Sequence, residues 1–175
     1  MSILKIAKMG HPVLREPARA IEPNEIRTPM VQQLIDDMFE TMREYEGIGL
    51  AAPQVHQGLR LFVAGIDDPE ATMPEVVMIN PVIEPVSDDV EEDWEGCLSI
   101  PDIRGKVPRF VDIRLQALDR QGKTLSMTAS GFPARVIQHE TDHLDGVLFF
   151  DRMKTFNSLT FLSEYARFWA KDDTI

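Results

Sequence analysis

Cysteine is almost missing from this chain: of 175 residues, only Cys97 carries a thiol. No disulfide can form within it, so a fold of this size must rest on a hydrophobic core. One thiol fits a reducing compartment and is free for chemistry or for plain burial. Long apolar runs are missing too, and no stretch approaches the roughly 20 residues a membrane-spanning helix needs. The opening Met-Ser-Ile-Leu-Lys-Ile-Ala-Lys has neither a long apolar run nor a cleavage-like site. No signal peptide is expected, and the cytoplasm is the expected location. Positive charge is scarce, with 18 Lys and Arg against 29 Asp and Glu, a net charge of −11. Such a surface repels a phosphate backbone and argues against direct nucleic-acid binding. The acidic cluster Asp88, Asp89, Glu91, Glu92 and Asp93 reads as a solvated loop. Repeats, low-complexity tracts and Gly/Ser linkers are also absent, so residues 1–175 are expected to form a single domain.

What is present is an ordinary apolar content, 43%, arranged in recognisable periods. Thr28-Pro29 reads as a helix start, with Thr28 as N-cap and Pro29 at the first helical position. Met30, Leu34, Met38 and Met42 recur every four residues, widened by Ile35 and Phe39, and Gly47 is a natural stop. Residues 60–66 and 76–79 read as short buried strands, the second closed by Asn80-Pro81. Val111, Ile113, Leu115 and Ala117 alternate with polar residues, which predicts a half-buried strand ending or bulging at Leu118. After the turn at 119–123, Leu125, Met127 and Ala129 alternate back, so antiparallel pairing is expected. A second helix should open at Gly131-Phe-Pro133 and run to about Leu144, with Gly146 beyond its end. A third should begin near Asn157 and carry Leu159, Leu162, Ala166 and Trp169 inward. Strands surrounded by helices in this order predict an α+β fold.

The chemistry is concentrated in His-Glu-Thr-Asp-His, residues 139–143. Positions i and i+4 share one helix face. Two imidazoles so placed can grip one ion at roughly 2.0–2.1 Å. Glu140 follows the first and can reach a bound water from the side. A catalytic site of this type wants three protein ligands and one open position. One extension of the motif places a third His three residues after a glycine. Here Gly146 matches, but Phe149 stands where that His should be. Glu164 could serve as a carboxylate ligand, although it lies in a helix expected to turn its apolar stripe to the core. Cys97, beside Gly96 and a carboxylate in a loop-like stretch, is the third candidate. The run Gly-Ile-Gly-Leu-Ala-Ala-Pro-Gln at 47–54 permits close backbone approach, and Gln54 could donate to a developing oxyanion.

Together these segments resemble the peptide deformylase family. Its marks are Gly-x-Gly-Leu-Ala-Ala-x-Gln, Glu-Gly-Cys-Leu-Ser and Gln-His-Glu-x-Asp-His-Leu. They stand here at 47–54, 95–99 and 138–144 without mismatch, in the family's order, and the resemblance spans roughly residues 3–155. It implies one deformylase-like catalytic domain with antiparallel sheets packed around a central metal-binding helix. It implies removal of the formyl group from the N-terminal methionine of new polypeptides. Cys97, His139 and His143 would hold Fe²⁺, which Zn²⁺, Ni²⁺ or Co²⁺ can replace, and Glu140 would be general base and then acid. Gln54 and the Leu98 backbone N–H would hold the formyl oxygen. Ile48, Gly49 and Gly96 would pair with the substrate backbone, Val136 would line the methionine pocket, and Arg104 would sit near the peptide's far side. Some members carry a long basic C-terminal helix that meets the ribosome. The tail here is short and mixed, which puts ribosome docking through it in doubt. Two rivals share the motif: a metallopeptidase using Glu164, and a catalytically inactive peptide-binding relative.

Overall fold

The computed structural model describes residues 2–65 and 73–170. Two short elements precede the active region, a 3-10 turn at Pro12–Leu14 and the helix α1 (Pro23–Ile26). The long helix α2 (Pro29–Glu44) begins where the sequence predicts. Thr28 Oγ1 accepts from the Val31 N–H at 3.4 Å, and Pro29 occupies the first turn. Its buried stripe is Val31, Ile35, Met38 and Met42, whereas Met30 lies exposed. The predicted spacing of four overshoots: each step of four residues turns about 400°, so a strict stripe drifts roughly 40° per step around the helix. Alternating steps of four and three stay on one face. The helix ends at Glu44, three residues before Gly47, and Glu46 takes the left-handed conformation.

Strands β1 (Gly49–Ala51), β2 (Leu61–Ala64), β3 (Val76–Pro85), β6 (Asp112–Leu118) and β7 (Thr124–Ser130) form an antiparallel sheet in the order β1-β2-β3-β6-β7. The alternation at Ile113, Leu115 and Ala117 is buried on one face, and β6 pairs β7 from Asp112↔Ser130 to Leu118↔Thr124. On β7 only Ala129 of the predicted trio is buried, while Met127 is exposed. Ile66, the predicted end of the strand that forms β2, lies outside the described residues. Asn80-Pro81 does not close β3, which runs on to Pro85 through a register shift between Ile79 and Val82. Asn80 adopts φ 51° there, a conformation Asn tolerates. Its side-chain amide both donates to and accepts from the Ile21 backbone, at 2.8 and 2.9 Å.

A second sheet has the order β4-β5-β8, from β4 (Val90–Cys97), β5 (Ile100–Phe110) and β8 (Thr160–Phe161). Sequence reading missed it. The acidic cluster was expected to be a loop, but Glu91, Glu92 and Asp93 belong to β4 and face solvent. Cys97 is likewise the last residue of a strand rather than part of a loop.

Helix α3 (Phe132–Leu144) packs against β1, β2 and β7 of the first sheet and β5 of the second, and every residue from Ala134 to Leu144 is buried. The layers are therefore α2, the five-stranded sheet, α3, and the smaller sheet. One apolar cluster joins α2 to the outer face of the large sheet; another joins the inner face to Ala134, Ile137 and Leu144. A third packs Leu14, Val107, Leu148 and Phe149, from α4 (Phe149–Arg152), around Cys97.

The last predicted helix is different from expectation. A 3-10 turn at Phe156–Ser158 and β8 precede a short α5 (Leu162–Phe168), and Leu159, Leu162, Ala166 and Trp169 are exposed. What fastens α5 is Trp94 on β4, whose ring meets those of Tyr165 at 5.0 Å and Trp169 at 5.8 Å.

Gly146 turns the chain out of α3 at φ +72°, and a Cβ there would lie 2.7 Å from the Arg15 carbonyl carbon and oxygen. Gly146→Ala should cost roughly 2–4 kcal/mol of stability, from the left-handed backbone plus a clash with main chain. Urea denaturation checks this, and a loss under about 0.5 kcal/mol would show that the turn relaxes freely.

Candidate active site

Seven polar or charged side chains of α3 are buried: Arg135, Gln138, His139, Glu140, Thr141, Asp142 and His143. Burying polar groups is costly unless each finds a partner. Gln138 binds both backbone groups of Phe110, and Thr141 donates to the Ile137 carbonyl. Asp142 accepts from Arg109 at 2.6 Å and Arg152 at 2.7 Å. Arg135 donates to Glu95 and to the Val107 carbonyl. Among the described residues only three buried side-chain atoms lack a partner, Glu40 Oε2, Glu140 Oε2 and His143 Nδ1. Two of the three lie on one stretch of α3, in the metal motif.

Cys97, at the end of β4, meets that stretch. Its sulfur and one nitrogen each of His139 and His143 lie within 4.8 Å of one another, and Sγ is 3.2 Å from His143 Nε2. The imidazoles cross at 77° with centroids 5.0 Å apart. Burial raises the Cys97 thiol, but the adjacent imidazoles of His143 and His139 outweigh it and hold the thiol well below its ordinary value. Burial lowers His139, and Cys97 and Glu95 together outweigh it, holding that ring protonated. The thiol favours its charged, ligating form, and the two ring nitrogens beside it complete a donor set facing one point. One sulfur and two nitrogens at this separation fit the soft-to-borderline donor set of a tetrahedral divalent metal.

Glu95, quoted in the sequence motif without a role, fixes the arrangement. Its carboxylate receives His139 Nδ1 at 2.9 Å, Arg109 through two bonds of 2.9 and 3.0 Å, and Arg135 at 2.9 Å. Burial opposes its charge, but the His139 and Arg109 hydrogen bonds outweigh it and hold the carboxyl at about 2. With Nδ1 engaged, His139 is left to present Nε2. Asp142 stands in the quoted motif without a role, and Arg109 has no sequence signal; the structure pairs the two at 2.6 Å.

A cleft of about 500 Å³ opens beside the sulfur. Ile48, Gly49, Gln54, Leu98, Val136 and Glu140 line it, together with Gly96, Cys97, Arg104 and His139. His143 lies behind this wall at 1% exposure. Glu140 is pushed up to about 7, first by burial and further by Cys97 and Glu95, against the pull of the two imidazoles. Gly49 exists for its sake, since a Cβ there would come within 2.2 Å of Glu140 Oε1. Gln54 is held by the Ala51 N–H on its Oε1 (2.8 Å), and its Nε2 points to Cys97 Sγ (3.4 Å) and Ser99 Oγ (3.2 Å). Gly96 falls in the register shift of the β4–β5 ladder, with the Arg104 guanidinium folded across it. Both β1 and β4 are edge strands, so their outward-facing backbone groups can pair with an extended chain, although the Ile48 carbonyl already accepts from the Gly65 N–H at 2.8 Å.

Glu164 falls away as the third ligand, and the position where the extended motif would need a histidine is a packing residue. Phe149 is buried, its ring stacked on that of His139 at 6.4 Å. Glu164 is exposed on α5, and the only potential metal cluster among the described residues is Cys97, His139 and His143.

Antiparallel sheets around a buried helix that presents two histidines and a carboxylate to a thiolate define a metal-dependent amide hydrolase. The model of the polypeptide deformylase family matches residues 3–158. The peptide deformylase 2 of Pseudomonas putida is 48% identical over 160 residues, 88% of this chain and 89% of that protein. Peptide deformylase 1 of Nitrosomonas europaea is 45% identical over 152 residues, 84% and 85% of the two chains. The Met-Ala-Ser-bound class I type b peptide deformylase of Acinetobacter baumannii superposes with a TM-score of 0.81 at 40% identity, covering 87% of this chain and all of that one. The chain belongs to the polypeptide deformylase family. It is a metal-dependent hydrolase, and its reaction is the family's, removal of an N-terminal formyl group.

Glu95→Gln should weaken metal binding by about 10–100-fold, as loss of the carboxylate behind a ligand histidine does. It should also cost roughly 3–5 kcal/mol by leaving Arg109 and Arg135 facing a neutral amide. Chelator competition and urea denaturation measure the two effects, and wild-type metal affinity would assign Glu95 to stability alone.

Proposed function

We propose that the cleft binds the N-terminus of a formyl-methionyl nascent chain as an added strand between β1 and β4. The observation that carries this is the convergence on one 500 Å³ cleft of two free strand edges, an unpaired buried carboxylate and a Cys/His/His cluster. Ile48, Gly49 and Gly96 pair with the peptide backbone, Val136 lines the slot for the methionine side chain, and Arg104 lies towards the peptide's far side. The Met-Ala-Ser complex of the Acinetobacter relative supports this class of ligand.

Cys97, His139 and His143 are the metal ligands in this reading, and the native ion is Fe²⁺, with Zn²⁺, Ni²⁺ or Co²⁺ as substitutes. The bound ion would supply Lewis acidity and make a water nucleophilic near neutral pH. Glu140 takes a proton from that water as its oxygen bonds to the formyl carbon. Gln54 Nε2 and the Leu98 N–H receive the developing oxyanion, each donor contributing about 3–4 kcal/mol. The carbon–nitrogen bond then breaks, and Glu140 passes the proton to the leaving amine, giving formate and a free N-terminus. A carboxyl held near 7 suits both halves of that exchange. The described residues hold no helix long and apolar enough to cross a membrane, and with the single cysteine this supports cytoplasmic work on nascent chains as one catalytic domain. The acidic net charge gives no support to nucleic-acid contact, and α5 ends in mixed charges. Lys171, Asp172 and Asp173 lie outside the described residues.

Glu140→Ala should retain the metal and lose about 10²–10⁴-fold in kcat. Elemental analysis beside turnover decides it, and near-normal turnover would remove Glu140 from the reaction. A formyl-Met-Ala-Ser peptide should react far faster than its acetyl counterpart, because the formyl carbon carries only hydrogen on its far side. One methyl in a rigid site costs roughly 1–3 kcal/mol. If an internal peptide bond is cut as fast as the formyl amide, a peptidase reading replaces this one. Protein prepared without oxygen should contain iron and lose activity in air, since both Fe²⁺ and the thiolate oxidise. A zinc-only preparation equally active in air and under nitrogen would exclude iron as the working ion.

A further inference from the structure

The segment ahead of the first 3-10 turn belongs to neither sheet, yet it ties together the 3-10 helix Ala52–Val55, which carries Gln54, and the turn that carries Leu98. Ala7 N–H donates to the Gln54 carbonyl at 2.7 Å, and Met9 N–H donates to the Ser99 carbonyl at 2.8 Å. Between them Lys8 Nζ donates to the Leu98 carbonyl at 2.9 Å, and Lys8 lines the cleft. Gln54 Nε2 to Ser99 Oγ, 3.2 Å, closes the ring from the other side.

Leu98 and Ser99 are the two turn residues between the paired Cys97 and Ile100. A two-residue turn is held by the ladder only at its ends. The Leu98 N–H takes no backbone acceptor among the described residues, so its direction depends on how the rest of the turn is held. Both turn carbonyls are held from outside, one by the Lys8 ammonium and one by the Met9 amide. A solvated lysine would ordinarily wander or pair with a carboxylate. Lys8 makes no ion pair among the described residues and spends its charge on a main-chain carbonyl.

The geometry points to Lys8 as a positioning residue: its ammonium fixes the Leu98–Ser99 turn so that the Leu98 N–H and Gln54 Nε2 converge on the formyl oxygen. This rests on the reading that those two donors hold that oxygen. Losing such a donor outright costs about 10²–10³ in kcat. Misplacing a group by about 1 Å can cost up to 10²-fold. Lys8→Met leaves the Met9 bond in place, so the expected loss is roughly tenfold in kcat.

The test uses the full chain loaded with zinc, as wild type, Lys8→Met and Lys8→Arg. Amide hydrogen exchange at Leu98 and Ser99 is followed by NMR, and kcat and KM are measured on formyl-Met-Ala-Ser. Lys8→Met should exchange faster at both amides and lose kcat with KM nearly unchanged and zinc content intact. Lys8→Arg, which keeps a charged donor, should recover most of both. Unchanged exchange and kcat in Lys8→Met would overturn the inference. A raised KM at unchanged kcat would also overturn it, since Lys8 would then bind the peptide itself, and so would zinc loss. Should wild type leave the formyl peptide intact, the functional reading fails, and the exchange rates alone still decide whether Lys8 fixes the turn.

Discussion

The buried carboxylate of Glu95 is the contact on which the site depends. It joins the β4–β5 hairpin, through its own strand and Arg109, to Arg135 and His139 on α3, about 40 residues further along the chain. Moving a carboxylate and two guanidinium groups out of water is costly, and an apolar cluster of equal volume would often be as stable or more so. What the ion cluster adds is direction. Its bonds fix the registry of β4 against α3 and the face that His139 presents. They also deliver Cys97, two residues after Glu95, to the histidine pair. The thiolate and the imidazoles, within 4.8 Å of one another, are placed by these directional bonds together with the apolar cluster that includes Cys97.

The rest of the architecture follows from having a polar helix at the centre. A helix buried on every side usually carries apolar side chains all round. Residues 135–143 of α3 are largely polar and still buried, because β4 and β5 cover one side and the large sheet the other. Most of these polar groups are then answered by a strand backbone, an arginine or a carboxylate, while Thr141 turns back to the Ile137 carbonyl of its own helix. The exceptions in this helix, Glu140 Oε2 and His143 Nδ1, fall where the chemistry is. Glycines make the close approaches possible, and Gly49 is the clearest case, since any side chain there would displace the Glu140 carboxylate.

The two edge strands make this a site for an extended chain rather than a compact ligand. An unpaired edge invites aggregation unless it is short or covered. Here β1 has three residues, and β4 carries acidic side chains up to the point where the cleft begins. The edges that border the cleft are thus a very short strand and one guarded by acidic side chains up to the cleft. Trp94 closes the arrangement by fastening α5 beside the cleft through two aromatic contacts.

Much of this is legible in the sequence. The helix caps at Thr28 and Gly131-Phe-Pro133, the β6–β7 hairpin and the i, i+4 histidines depend on local periodicity and on residues with strong backbone preferences, and such features survive in any context. Three motifs in order were enough to identify the family. Other features were not legible. The strands β4 and β5 lack clean alternation because α3 supplies the counter-ions for their inward charges, so Glu95 and Arg109 look like surface residues in the sequence. The third helix was misjudged because its apolar residues imitate a core stripe, although the core is already filled by α3 and α4. The choice between Cys97 and Glu164 was likewise not a local matter. Sequence by itself determined which residues could bind a metal. Only the tertiary structure decided which three meet, because a ligand set is a matter of distance between segments more than 40 residues apart, and one buried carboxylate sets that distance.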